Sequence, residues 1–332
     1  MEKERIHWVD IAKAWLIICV IITHMPELAT QKKVLDISWL ANLRPLFYAY
    51  FMPAFFILNG YCSRFEGLRL KTFAWKTFKS LMILNILVNI GLPWFSYIRH
   101  LDLNWSDYAH TVYNFLVEGE SWFLSALFLS RIMYFLLKRY LRNPIFLAVA
   151  TLLLVVGGAM LNTANVKNVF SFEHALIMTV FIFVGDYAKN YSKILDNKSM
   201  SVLCIVSFVI VEMTSSFLGI KQPCIYGKIE VWFSSIPIFI LMALIGSQAC
   251  FSICKKIKAN RWLEDIGRES LVIYVFQMLF YHYILDILSP ISVHGLLSGL
   301  LALGIIISQL LLCSILNYIL NLKYLKWTLG KF

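Results

Sequence analysis

Residues 8–26 read WVDIAKAWLIICVIITHMP. An apolar run of this length matches the ~20 residues that a helix needs to cross the hydrocarbon core of a bilayer. Yet it carries Asp10, Lys13 and His24. At about 100° per residue, Lys13 and His24 fall within about 20° of each other around the helix axis, and Asp10 lies within about 60° of both. The rise from Lys13 to His24 is about 16 Å. One stripe of a membrane helix therefore bears an acid and a base near one end and an imidazole deep towards the other. Ionisable groups are costly in hydrocarbon and normally face a bundle interior or a water-filled cavity. A lone Lys at a helix end usually snorkels, and a lone His usually just joins two helices. Three such residues on one stripe point to chemistry instead. No small-x-small cleavage site follows, so the run reads as a retained helix rather than a signal peptide.

The rest of the chain has the same character. Of its 332 residues, 60% are hydrophobic and 15% charged, whereas soluble domains carry about 25% charged residues. The reading is an all-α, polytopic integral membrane protein, with one membrane domain over 1–332 and about ten transmembrane helices. Spans are expected near 8–25, 46–63, 77–98, 120–138, 144–161, 169–188, 199–218, 229–252, 268–289 and 294–320. An amphipathic stretch from Asp107 to Glu118 suits the membrane surface.

Lys and Arg set the orientation, because they accumulate in cytoplasmic loops. With both termini cytoplasmic, 21 of them lie inside and 7 outside; Arg64, Lys76 and Lys79, Lys138, Arg139 and Arg142 are among the inner set. The formal charge of +11 follows from this bias. It does not call for nucleic acid, since no soluble domain carries a basic stripe. The seven cysteines show no metal-ligand spacing, and no metal is expected.

Four further stretches matter: YFMPAFFILNGYCSRF at 50–65, SWFLSALFLSR at 121–131, FIFVGDYAKN at 181–190 and IGRESLVIYVFQ at 266–277. With the basic-x10-His stripe of residues 13–24, they resemble, in order, the segments of the acyltransferase-3 family of bacterial membrane O-acyltransferases, and of its sugar-acetylating branch. The resemblance spans nearly the whole chain. Lys13 stands where Arg is commoner, Asn59 where the family usually has Ser, and Gln277 where many members have His. Lys76 and Lys79, in WKTFKS, sit at the spacing of the family's Arg-x-x-Arg pair.

What the resemblance implies is transfer of an acyl group, acetyl by default, from its coenzyme A thioester to a sugar hydroxyl in the bacterial cytoplasmic (inner) membrane. His24 is then the general base, with Asp10 and Lys13 orienting the helix or binding the donor. Lys76, Lys79 and Arg64 are the candidates for the coenzyme A phosphates. Asn59, Trp122, Glu173, His174 and Gln277 are candidate pocket residues. The expected partners are membrane lipid and a glycan or lipid-linked sugar acceptor, with room for a homo-oligomer. No Gly-x-Ser-x-Gly elbow supports a serine-esterase route. A proton-coupled transporter or a polysaccharide-export component is the competing reading, since intramembrane Asp, Lys and His also suit a carrier.

Overall fold

The computed structural model describes residues 6–32, 34, 35, 37, 40, 47–92, 105–118, 121–191, 197–218, 223–225, 228–288, 293 and 295–331. Residues 93–98, the expected end of the third span, lie outside this set. So do Lys3, Arg5, Lys33, Arg44, Arg99, Lys193 and Lys221 of the charge pattern.

The chain is largely helical. Helix α1 (His7–Lys32) holds the charged stripe. After it come α2 (Phe51–Cys62) and α3 (Leu70–Ile86), the latter widening into a π turn at Leu87–Gly91. The amphipathic stretch forms α4 (Trp105–Tyr113), which ends in a second π turn and meets α5 (Trp122–Tyr140) at a 45° bend. Then follow α6 (Pro144–Thr163), α7 (Phe172–Ala188), α8 (Lys198–Phe217), α9 (Ile236–Lys256), the short α10 (Arg261–Arg268), α11 (Ser270–Leu288) and α12 (Leu296–Leu320). Between α8 and α9 a small antiparallel hairpin pairs β1 (Cys224–Ile225) with β2 (Ile229–Glu230). The sequence reading had neither this hairpin nor α10.

Local signals explain several boundaries. Asn143 caps α6 by accepting from the Ile145 amide, with Pro144 in the first turn, where a missing N–H costs nothing. Asn260 caps α10 through the amides of Trp262 and Leu263.

Among the described residues, seven helices are long and apolar enough to cross a membrane, or eight if the bent α4–α5 pair makes one span. That length and composition make the chain a multi-pass membrane protein. The expectation of about ten also counted α2 and α3. Helix α2 has 12 residues, about 18 Å, against a hydrocarbon core of about 30 Å. Helix α3 starts at Leu70, seven residues before the expected 77, and carries Lys71, Lys76 and Lys79.

Two glycine contacts organise the bundle. A Cβ on Gly185 of α7 would overlap the Ile57 carbonyl of α2, and one on Gly60 of α2 would overlap the Ile182 carbonyl. Backbone therefore meets backbone, the close approach that small residues permit between membrane helices. Gly267 of α10 meets the Asp10 carbonyl of α1 in the same way. The Tyr281 hydroxyl on α11 donates to the Met25 carbonyl at 2.8 Å. These two contacts make α1 run parallel to α10–α11.

One end of the bundle gathers the ends of α2, α5 and α7. Asp186 accepts from Lys138 at 2.6 Å, Lys189 at 3.0 Å and Tyr134 at 2.8 Å, and Lys189 also donates to the Ser63 carbonyl at 2.7 Å.

Candidate functional site

An inner cavity of about 470 Å³ lies between α1, α2, α3, α5 and α11. It brings together Lys13, Asn59, Arg64 and Lys76, four of the residues singled out in the sequence, and adds Arg131. Its walls are otherwise mainly apolar, with Phe55, Phe73, Phe123 and Tyr274 among them.

Arg131 is the central cation. It lies nine residues from each end of α5, about 14 Å from either. Its Nη1 donates to Asn59 Oδ1 at 3.0 Å, and its guanidinium carbon stands 5.4 Å from the Phe73 ring centroid. Phe73 is itself stacked on Phe135. The Arg131 Nε is buried and has no hydrogen-bond partner among the described residues. No carboxylate lines the cavity. A desolvated cation without a counter-ion is expensive, so this arrangement favours an anionic or strongly accepting ligand.

Lys13 joins the cavity to a second network. Its Nζ is 3.5 Å from Asp10 Oδ1, a loose pair, and Asp10 Oδ2 lies 3.7 Å from Arg268 Nε. Arg268 also holds Glu264 at 2.9 Å and Asp265 at 2.6 Å, and Glu264 meets His7 at 2.9 Å. Asp10 thus fastens α1 to α10, and Lys13 is left reaching into the cavity. Lys79 does not line the cavity. Its ammonium lies 5.9 Å from the Trp75 ring centroid, and its carbonyl packs against Gly330. Lys76 and Lys79 therefore face different surroundings.

His24 is above this space. The cavity is lined on α1 by Lys13 and Ile17. His24 lies seven residues further, about 10 Å higher and on nearly the same stripe. The His24 Nδ1 is 2.8 Å from the Val20 carbonyl. A carbonyl only accepts, so Nδ1 carries the proton and a neutral ring keeps its lone pair on Nε2. Gln277 is 4% exposed, and its Oε1 has no partner among the described residues. It lies one turn below Tyr281, whose hydroxyl meets Met25, and so at the level of the His24 turn.

Glu173, His174 and Trp122 meet at the other end of the bundle. Glu173 and His174 line an outer cavity of about 450 Å³ with Asn162, Asn165, Asn168, Lys228 and Glu230. The His174 ring is 4.6 Å from that of Trp122, and its Nδ1 is 2.7 Å from Asn168 Nδ2. Asn168 Oδ1 accepts from the Glu173 amide at 2.9 Å. Glu173 is 4% exposed, and its Oε1 has no partner among the described residues. The approach to this helix is strained: Asn165, Phe170 and Ser171 have φ of 51°, 53° and 58°. Such conformations cost about 1–3 kcal/mol each and collect at functional sites.

The acyltransferase-3 family, described as an acyltransferase domain, matches residues 6–318. The chain belongs to this family. No curated protein and no solved structure matches it.

Membership supports acyl transfer as the activity of this acyltransferase and an acyl-coenzyme A type of co-substrate. Among the described residues, no group of three or more His, Cys, Asp or Glu side chains could hold a metal. The two ends of the bundle thus divide the residues picked from sequence: Lys13, Asn59, Arg64 and Lys76 in one cavity, Glu173 and His174 in the other, His24 and Gln277 between. Arg131 was missed, although its signal was present. Of the 30 Lys and Arg, all but Lys13 and Arg131 fall into the inner and outer loop sets. A basic residue left over inside a span is a functional candidate by default.

Proposed function

We propose that this acyltransferase moves an acyl group, acetyl by default, from coenzyme A to a hydroxyl of a cell-surface glycan or lipid-linked sugar. It would sit in the bacterial cytoplasmic membrane, crossing it about ten times with both termini inside. The observation that carries this reading is the inner cavity, where Lys13, Lys76 and the buried, unpaired Nε of Arg131 face mainly apolar walls. A phosphate-bearing thioester has both the charge and the apolar length for it.

The chemistry then falls to His24. Its Nε2 accepts the proton of the acceptor hydroxyl as the oxygen attacks the thioester carbonyl carbon. The carbon–sulfur bond breaks, and the protonated imidazole returns its proton to the leaving thiolate. General-base catalysis of this kind contributes about 10²–10⁴-fold. The thioester must reach about 10 Å beyond Ile17 to meet the imidazole. Asp10 and Lys13 hold the helix and the donor; Lys76 and Arg64 attract its phosphates. Asn59 holds Arg131, and Trp122, Glu173, His174 and Gln277 are the residues for the acceptor side.

The test is transfer of radiolabel from acetyl-coenzyme A to glycan in proteoliposomes, wild type beside His24→Ala. Label on saccharide with the wild type and a loss of at least about 100-fold with the variant is the expected result. A variant that transfers like the wild type removes His24 from the reaction. Uptake of saccharide into empty liposomes without label transfer would favour a transporter instead.

A further inference from the structure

The bundle end that holds the Asp186 network also holds a second space. A cleft of about 960 Å³ opens between the start of α1, the 63–68 segment, the end of α5 with its following loop, and the end of α7. Five cations line it: Arg64, Lys138, Arg139, Arg142 and Lys189, against the carboxylates of Glu66 and Asp186. The carboxylates are taken by the lysines. Lys138 lies 2.6 Å from Asp186 and 3.0 Å from Glu66, and Lys189 lies 3.0 Å from Asp186. Among the described residues, Arg64, Arg139 and Arg142 have no carboxylate partner, and all three are exposed.

The cleft adjoins the inner cavity. Ser63, Arg64 and Leu68 line both. The junction is pinned, because Lys189 donates to the Ser63 carbonyl at 2.7 Å while Asp186 holds Lys189. Along α5, Arg139 lies eight residues beyond Arg131, about 12 Å towards the cleft. The pair of spaces is therefore cationic in the larger cleft and mainly apolar in the smaller cavity around Asn59 and Arg131, with Arg64 on the wall they share. Together they suit a linear ligand with several phosphates at one end and a long uncharged arm at the other. An arginine recognises phosphate through a planar fork of donors, which a lysine lacks.

We propose that this cleft is the nucleotide site of the acyl donor, in which Arg139 and Arg142 bind the phosphates of 3′-phosphorylated adenosine diphosphate and Arg64 guides the arm into the membrane cavity. This rests on the acyl-coenzyme A reading above and moves the main phosphate contacts from Lys76 and Arg64 to Arg139 in the last turn of α5 and Arg142 in the loop after it. Asp186 is a positioning residue, holding the lysines and the Ser63 segment so that the arginines stay unpaired.

The experiment is equilibrium binding of coenzyme A and of dephospho-coenzyme A, which lacks the 3′-phosphate. It uses the full chain in phosphatidylcholine nanodiscs, at fixed low salt. Wild type is set beside the double variant Arg139→Gln/Arg142→Gln and a control, Lys258→Gln, an exposed cation outside the cleft. The expected result is wild-type preference for coenzyme A over the dephospho form, unchanged in the control. The double variant should bind coenzyme A at least about tenfold more weakly and lose the preference, since hydrogen bonds to charged groups are each worth about that factor or more. A double variant that keeps its affinity, beside a wild type that binds, overturns the cleft assignment and leaves the acyl-transfer reading standing. Wild type that binds neither nucleotide overturns both. All three substitutions are on exposed side chains, and elution as a single species checks that the variants are folded.

Discussion

Replacing Arg131 with Met separates a structural role from a functional one, because the two predict opposite patterns. Met keeps the unbranched, flexible stem of the side chain without its guanidinium head, and suits the surrounding Phe73, Phe123 and Leu127. The substitution loses the 3.0 Å bond to Asn59 Oδ1 and the contact with the Phe73 ring. Those losses amount to about 1.5–3 kcal/mol for a charge-assisted bond and about 0.5–2 kcal/mol for the cation–π contact. Against them stands relief of a desolvated cation whose Nε has no partner, several kcal/mol in real proteins. The two sides nearly cancel, so the thermal midpoint in nanodiscs should move by only a few degrees, in either direction. Donor binding has no such compensation. Loss of one charge-assisted contact should weaken acetyl-coenzyme A affinity by at least about tenfold. Arg131→Lys should restore part of the affinity, since it keeps the charge but not the fork. The assay is the pair of measurements on the same sample, midpoint and donor affinity. A variant that unfolds many degrees earlier yet binds donor as well as wild type would refute the reasoning and make Arg131 a structural tie between α2 and α5.

Two further outcomes follow from the geometry. Glu173→Gln keeps the shape of the outer cavity but removes the carboxylate charge, so it should raise the acceptor KM by about tenfold and leave acetyl-coenzyme A binding unchanged; an effect on donor binding alone would contradict the division into two ends. Gly185→Ala should destabilise the bundle by about 1–3 kcal/mol, because its methyl overlaps the Ile57 carbonyl and forces α2 and α7 apart. Thermal unfolding of the detergent-solubilised variant reads this directly, and an unchanged midpoint would mean that the helix pair can separate freely.

The Glu173 end of the bundle shows how little a single residue type reveals before folding. Glu173 and His174 read as polar residues at the start of an apolar run. Only the left-handed turn at Phe170–Ser171, the Asn168 amide bridging both residues and the Trp122 ring turn them into one wall of a cavity. Lys79 is the opposite case. Its spacing from Lys76 suggested a joint site, since residues three apart are neighbours on a helix, but only Lys76 lines the inner cavity, while the C-terminal turn packs against the Lys79 carbonyl.

Hydropathy and charge are local properties, and from the residues alone they marked a multi-pass helical membrane protein; the resemblance to the acyltransferase-3 family rested on five short segments in order, the α1 stripe among them, and the family match over residues 6–318 bears it out. Span length and loop charge need no knowledge of neighbours, because the bilayer acts on each segment separately. The cavities were decided by tertiary structure. Arg131 and Asn59 meet across 72 residues of chain, and Lys189 and Ser63 across 126. Which face of a helix meets which partner depends on backbone approach at Gly60, Gly185 and Gly267. That approach is a matter of shape between distant segments, which no window along the sequence contains.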